Sequence, residues 1–397
     1  MKKVYIVSAK RSPIASFLGD FNKLNIDSLG IQVIEDLIKT ANMKKDVIDQ
    51  LILGNVLQAG SRQNLAKTLA TKTNLNPNCI SYTVNMVCGS GLQAINLAMD
   101  AINLGKADVI IAGGIEHMSK APFLVDAKIR SGVHKENQVM VDSIIQDGLT
   151  DGVLNQHMGE ITEELNNLFD IPLAQQNQFA INSINKFKVA QQNGAFINEI
   201  TPIKLDNGQL INQDQFSKIT FTESKINTLR TPFKKEGTIN AANASNYADA
   251  ASFVLLLSEE ALKKYQLTPL AEVVSIVTVG IDALLMGLAP VEAITKNLKT
   301  ANLSFNDLSA IHINEAFALQ MLAVVKKLSQ HLNITESSIL AKLNQNGGAL
   351  AYGHPIGASS NIMVSSLCHQ LKNNQYGLAS VCIGGGMGMS IIVRGLL

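Results

Sequence analysis

The chain repeats itself, and the repeat limits the folds open to it. In the first half a glycine-rich turn, Cys88-Gly89-Ser90-Gly91, opens an apolar helical pattern from Leu92 to Leu104. The buried-strand run Val109-Ile110-Ile111-Ala112 and then Gly113-Gly114 follow it. In the second half Gly353-His354-Pro355-Ile356-Gly357 opens an apolar pattern from Ser360 to Leu371, followed by the run Ala379 to Ile383 and Gly384-Gly385-Gly386. The spacings are similar, 25 residues from Cys88 to Gly113 and 30 from His354 to Gly384. The openings also match, Lys3 to Ser8 against Ala271 to Ile276. After Gly386 the second unit closes at once with Ser390-Ile391-Ile392-Val393, whereas the first reaches its comparable run, Phe253 to Leu257, only after about 130 residues. Short apolar runs alternating with helical patterns imply an α/β fold with a mixed or largely parallel sheet. The long interval, richer in Asn and Gln, reads as an insertion at about 119–246 in the first of two similar units.

Within the units, Ser28 to Ala41 carries Leu29, Val33, Leu37 and Ala41 on one stripe, with Asp27 as the expected N-cap. Gly105 is expected to close the helix that ends at Leu104.

Composition removes several function classes. Lys and Arg total 33 and Asp and Glu 32, a formal net charge of +1, so no net field draws the chain to nucleic acid or an anionic membrane. The hydrophobic fraction of 46% against 16% charged supplies a large core. No apolar run reaches the roughly 18 residues that span a bilayer. The start, Met1 to Val7, is too short in its apolar stretch for a secretory signal and reads as a first strand. Four scattered cysteines (Cys79, Cys88, Cys368, Cys382) form no disulfide framework and no C-x-x-C pair. The expected compartment is cytoplasmic. His117, His134, His157, His312, His331 and His369 show no metal-ligand spacing, so no metal is expected.

The candidate chemistry lies at the repeated turns. Cys88, at a strand-to-helix turn, would feel the positive end of a helix dipole, which favours the thiolate; a small buried hydrophobe is the competing reading. His354 holds the corresponding place in the second unit. If the units pack about a pseudo-twofold axis, both helix starts face one cleft, and a Cys–His pair becomes available as an activated nucleophile. Cys382 precedes Gly384-Gly385-Gly386, whose N–H groups could bind an oxyanion. Asn314, after the apolar run at Ile311 and Ile313, suits either water or carbonyl orientation or a plain helix cap. The glycine runs miss the serine-hydrolase elbow, the dinucleotide fingerprint and the P-loop.

At Asn85 to Gly91, Asn314 to Ala318, Gly347 to Ala358 and Cys382 to Gly388, the chain resembles the thiolases, the acetyl-CoA acetyltransferase and 3-ketoacyl-CoA thiolase family. The resemblance covers essentially the whole chain. It implies a duplicated α-β-α-β-α layered fold, with one core half at 1–118 and 247–270, a coenzyme A-binding loop domain at 119–246 and a second half at 271–397. By this resemblance Cys88 is the acylated nucleophile, His354 takes its proton and later supports the thioester oxygen, and Cys382 moves the α-carbon proton. One oxyanion hole combines His354 with a water held by Asn314; the other uses the N–H groups of Cys88 and Gly384.

Leu149, His157, Met158, Leu229, Phe233, Ala241 and Ser245 match positions around the coenzyme A arm, and Met286 and Phe317 match positions near the acyl pocket. The implied activity is reversible condensation of two acetyl-CoA molecules to acetoacetyl-CoA and coenzyme A, with ping-pong kinetics. His157-Met158 resembles short-chain members. Acyl-CoA is the substrate, no permanently bound cofactor is implied, and a homo-oligomer, dimer or tetramer, is. Three alternatives stand beside it: a 3-ketoacyl-CoA thiolase with longer substrates, a decarboxylating enzyme of the ketoacyl-synthase type, and a coenzyme A-binding paralogue with weak or lost catalysis. Ala242, Asn246, Ala250, Ala289 and Ser360 stand where the family carries glycine, and Ala248 where it carries asparagine. Each lost glycine is expected to cost a left-handed backbone or a close approach to coenzyme A.

Overall fold

The computed structural model describes residues 2–132, 137–215, 223–226 and 228–397. The first half contributes five strands, β1 (Val4–Arg11), β2 (Gln50–Gly54), β3 (Ile80–Val84), β4 (Val109–His117) and β5 (Ala248–Ser258). The second contributes β6 (Ala271–Gly280), β7 (Leu308–Ile313), β8 (Tyr376–Ile383) and β9 (Met387–Gly395). They join in the order β7-β8-β9-β6-β1-β5-β4-β2-β3, with the short strand Ala15–Ser16 also paired to β5. The duplication is visible in the sense of each pairing. β1–β5–β4 and β6–β9–β8 are antiparallel, and the next strand outward, β2 or β7, is parallel. The sheet is therefore mixed, with parallel pairing confined to its two ends. The halves meet where β1 and β6 pair antiparallel, Val4 with Val273, Tyr5 with Glu272 and Ile6 with Ala271.

Alternation along the strands creates the layers. On β5, Phe253 and Leu255 pack outward with Leu29, Val33 and Leu37 of α1 (Ile26–Thr40) and Leu65 and Leu69 of α2 (Leu65–Lys72). Val254 and Leu256 face the other way, onto α3 (Ser90–Asn103), where Leu92, Ile95 and Ala98 meet Met363, Val364 and Leu367 of a long second-half helix, Ile356–Gln370. That same central cluster takes Val381, Ile383, Ile391 and Val393 from β8 and β9. Leu378 and Ile392 point outward, under helices Ala289–Ala301 and Ala318–Leu332. Helices thus form three layers with the two half-sheets between them, the α-β-α-β-α order. The central helices are apolar on nearly every side because both faces are covered.

The inserted stretch carries α4 (Met158–Phe169) and α5 (Leu173–Gln192). Ile161 and Leu165 of α4 pack on Leu319, Leu322 and Ala323 of the helix Ala318–Leu332, which seats this part of the insertion on the second half. We label three longer second-half helices α6 (Ala289–Ala301), α7 (Ala318–Leu332) and α8 (Ile356–Gln370). Among the described residues no helix is long and apolar enough to cross a membrane.

Three helix starts differ from the sequence reading. α1 begins at Ile26 with Asn25 at the N-cap; Asp27 lies in the first turn, takes the Ser28 N–H and pairs with Lys72. α3 begins two residues before Leu92, and α8 begins at Ile356, immediately after Pro355. The added residues are Ile26-Asp27 in α1, Ser90-Gly91 in α3 and Ile356 to Ser359 in α8, each lying outside the apolar run from which the helix was placed. Gly105 ends α3 at φ +68°, as expected.

Candidate active site

Both repeated turns arrive at one point. Cys88 follows β3, and the turn is shaped by its own polar side chains. The Val87 N–H donates to Asn85 Oδ1 (2.9 Å), the Met86 N–H donates to Ser90 Oγ (2.9 Å), and Ser90 Oγ donates to the Val87 carbonyl (2.7 Å). Val87 is held at φ +46°, a left-handed conformation that a β-branched residue resists at a cost of roughly 1–3 kcal/mol. This strained residue sets the direction of the next side chain. From the other half, His354 follows Gly353 (φ +98°) and sits just before α8. Its Nε2 lies 3.2 Å from Cys88 Sγ.

The imidazole is oriented from behind. Ser359 Oγ is 2.5 Å from His354 Nδ1 and donates its own proton to the Pro355 carbonyl (3.0 Å). A hydroxyl whose proton is so engaged accepts from the ring, so Nδ1 carries the hydrogen and Nε2 presents a lone pair to the thiol. Asn314 leaves β7 at its end, with its N–H on the Ser380 carbonyl and its Nδ2 3.5 Å from His354 Nε2. It does not cap a helix, because α7 starts only at Ala318 with Phe317 as N-cap. The neighbouring Glu315 is buried and engaged by Ser183 Oγ (2.6 Å), Asn344 Nδ2 (2.7 Å) and the Leu350 N–H (3.2 Å).

Burial governs the charge state. Desolvation, and then the neighbouring Cys382, pushes the Cys88 thiol well above the usual thiol range; the backbone N–H groups of Cys88 and Gly384 act on the sulfur in the opposite sense. Cys382, 2% exposed, is raised to about 12 by burial. His354 is lowered to about 4, also by burial. The expected thiolate is thus corrected. The helix start and the N–H groups favour it, but desolvation wins, and the resting pair is a neutral thiol against a neutral imidazole.

Cys88, His354, Cys382 and Gly384 open into one cavity of about 90 Å³ with Leu149, His157, Met158, Phe233, Ser245, Met286 and Phe317 in its wall. His157 caps α4, accepting the Gly159 N–H at Nδ1 (3.0 Å), and its ring stacks on Phe233 at 4.8 Å between centroids. Phe233 meets Phe317 edge-on at 6.2 Å. The Met158 sulfur lies over Gly384, 3.2 Å from where a Cβ would stand. Ala241 lies farther out, in a cleft of about 390 Å³ that shares Phe233, Ala244, Ser245, Asn246 and Tyr247 with the inner cavity. Leu229 lines neither.

Met118 and Tyr247 also line the cavity and carry no signal in the sequence; they are ordinary residues whose role depends on position. The replaced glycines cost no left-handed backbone: none of Ala242, Asn246, Ala250, Ala289 and Ser360 has a positive φ. Among the described residues no three His, Cys, Asp or Glu side chains are grouped as metal ligands. His134 lies outside the described residues.

Two family models match the chain. The thiolase N-terminal domain matches residues 4–260 and the thiolase C-terminal domain residues 267–395. The chain is 40% identical over 401 residues to the acetyl-CoA acetyltransferase of Escherichia coli K12, covering 100% of both. It is 40% identical over 398 residues to a probable acetyl-CoA acyltransferase of Staphylococcus aureus N315, covering 99% of both. Among solved structures, the Acat5 thiolase of Ascaris suum in complex with coenzyme A superposes with a TM-score of 0.93 at 34% identity, over 100% of both chains. Human mitochondrial 3-ketoacyl-CoA thiolase superposes at 0.92 with 33% identity, over 99% of both. With a duplicated layered fold, a thiol–imidazole pair where its halves meet, and matches from end to end, this chain belongs to the thiolase family of acyltransferases.

Proposed function

We propose that the chain is an acetyl-CoA C-acetyltransferase, condensing two acetyl-CoA molecules to acetoacetyl-CoA and coenzyme A, and running the reverse thiolysis, through an acetyl-Cys88 intermediate. The observation that carries this reading is the 3.2 Å contact between Cys88 Sγ and His354 Nε2 beside a second cysteine and a glycine loop. Forming a carbon–carbon bond between two thioesters needs a covalent carrier, a base for a weakly acidic C–H, and sites for two developing oxyanions.

In the first half-reaction the Cys88 proton passes to His354 Nε2 as sulfur attacks the acetyl carbonyl. Cys382 protonates the departing coenzyme A sulfur, leaving a Cys382 thiolate, acetyl-Cys88 and an imidazolium. In the second, the Cys382 thiolate takes an α-proton from the next acetyl-CoA, whose thioester oxygen is held by His354 Nε2–H and an Asn314-bound water. The carbanion attacks acetyl-Cys88, whose oxygen rests on the N–H groups of Cys88 and Gly384, and Cys88 leaves and recovers its proton from His354. Protons balance over the cycle, and the order is ping-pong.

The low basicity of His354 gives a distinctive acid limb. An ordinary histidine, near 6.5, would be protonated at pH 5.5 and unable to accept the thiol proton; one at about 4 remains neutral there. kcat/KM for acetoacetyl-CoA thiolysis should therefore hold from pH 7 down to about 5 and fall only near pH 4, measured within the range where circular dichroism shows the fold intact. An inflection near 6.5 would contradict this charge assignment.

Acyl length follows from the wall. Met158, Met286 and Phe317 surround about 90 Å³, room suited to an acetyl group. Overpacking costs of roughly 1–3 kcal/mol make thiolysis of a C8 3-ketoacyl-CoA slower than that of acetoacetyl-CoA by on the order of 10–100-fold in kcat/KM. Equal values across C4, C6 and C8 substrates would instead favour the longer-substrate reading. The outer cleft, with Ala241 and Ser245, suits the coenzyme A arm. The four free cysteines suit a reducing, cytoplasmic setting. The edge strand β3, whose Ile80 is 61% exposed, suits a homo-oligomer, dimer or tetramer.

A further inference from the structure

The two helices that carry the reactive pair do not cap themselves. α3 has Gly89 at its N-cap and α8 has Pro355, and neither receives a side-chain hydrogen bond from its own cap residue. First-turn N–H groups have no acceptor within their helix, so something else must take them. Here each half does this for the other. The Leu92 N–H, in the first turn of α3, donates to Ser360 Oγ of α8 at 2.9 Å. The Gly357 N–H, in the first turn of α8, donates to Glu116 Oε2 at the end of β4 at 2.8 Å.

Glu116 is fully buried, and every partner of its two oxygens is an N–H. Oε1 receives Asn55 Nδ2 (2.8 Å) and the Leu57 N–H (3.1 Å); Oε2 receives the Val56 N–H (3.2 Å) and Gly357. Ser360 is also fully buried, and it stands where the family pattern carries a glycine. Close packing makes the ties possible: a Cβ on Gly114 would lie 2.0 Å from the Gly357 carbonyl, and one on Gly91 3.0 Å from the same oxygen.

We infer that Ser360 and Glu116 are positioning residues that reciprocally cap the Cys88 and His354 helices across the two halves and thereby set the thiol–imidazole contact. Neither side chain touches substrate in this scheme. Leu92 is one helical turn beyond Cys88, and Gly357 three residues beyond His354, so a shift at either tie moves a reactive atom. Misplacement by about 1 Å in such a pair costs on the order of 100-fold in rate. The inference rests on the thiolase mechanism proposed above.

The test uses the full-length protein carrying Ser360→Ala or Glu116→Gln, with kcat and KM for thiolysis, the rate of Cys88 alkylation by iodoacetamide, and the melting temperature measured on each. Ser360→Ala removes only the acceptor oxygen. Glu116→Gln replaces an oxygen with an N–H donor that faces other donors. The expected result is a fall in kcat of roughly tenfold for Ser360→Ala and up to about 100-fold for Glu116→Gln, with slower Cys88 alkylation and an unchanged KM for acetoacetyl-CoA. A lowered melting temperature with unchanged kcat and alkylation, or a raised KM with unchanged kcat, overturns the inference. If Glu116→Gln does not fold, Ser360→Ala decides alone. Absence of acetyl-Cys88 in the unsubstituted protein would instead reject the mechanism on which the inference rests.

Discussion

Cys88→Ala is expected to lower acetoacetyl-CoA thiolysis by on the order of 10⁴-fold or more, since loss of a nucleophile removes the covalent route rather than one contact along it. Incubation of the unsubstituted protein with acetyl-CoA, followed by peptide mass spectrometry, should place one acetyl group on Cys88. The second cysteine makes this demanding, because Cys382 lines the same cavity and could itself be acylated. Three features favour Cys88. Its sulfur has a neutral imidazole lone pair at 3.2 Å, it sits on a strained turn that aims it into the cavity, and two backbone N–H groups act on it. Cys382 is more deeply enclosed, 2% exposed and raised to about 12 by burial, which suits it to proton transfer. Undiminished acetylation and turnover in Cys88→Ala would remove the mechanism. A coenzyme A-binding protein without catalysis would show no turnover even before substitution.

The second large effect concerns stability. Arg11, at the end of β1, is 2% exposed and surrounded by charge from the inserted stretch. Its Nε donates to Glu199 Oε1 (2.7 Å), its Nη1 and Nη2 donate to the two Asp214 oxygens (2.6 and 2.9 Å), and its guanidinium lies 5.4 Å from the centre of the Phe196 ring. Asp214 also receives the Ile14 N–H, and Glu199 receives Ser366 Oγ from α8. Arg11→Met leaves two buried carboxylates without their counter-ion and should destabilise the fold by about 3–5 kcal/mol. Denaturant unfolding followed by circular dichroism measures it. Adding Glu199→Gln and Asp214→Asn to Arg11→Met should recover much of the loss, because the stranded charge and not the missing contact dominates the penalty. A loss below about 1 kcal/mol in Arg11→Met would mean that these carboxylates reach water or bind a proton at little cost.

How much of this was legible beforehand differs by residue. The duplication was read from two glycine-rich turns and two strand runs, and the pairing senses of β1–β5–β4 and β6–β9–β8 reproduce it. Cys88 and His354 were legible because they occupy equivalent places in the two units, and pseudo-symmetry turns equivalence into proximity. His157, Met158, Phe233, Ser245, Met286 and Phe317 were reached only through family resemblance, and the cavity contains them all. Of the costs expected from the replaced glycines, the left-handed backbone did not appear: at Ala242, Asn246, Ala250, Ala289 and Ser360 φ lies outside that region, and Ser360 uses its hydroxyl as a helix cap. Asp27 suits a cap by residue type, yet with Asn25, Asp27 and Ser28 all of capping type the helix can start at any of several places.

The residue order alone determined that two like α/β units exist, that one carries a long insertion, and that a thiol and an imidazole stand at matching turns. Those are local or periodic properties, and periodicity survives in one dimension. Only the folded chain decided which way the thiol's proton equilibrium leans, since dipole and desolvation oppose each other and their balance depends on how much water the closed halves exclude. It also brought Glu116, Ser360 and Arg11 to their partners. Their partners stand 241, 268 and 203 residues away in sequence, and a hydrogen bond across such a separation leaves no trace in the spacing of either residue.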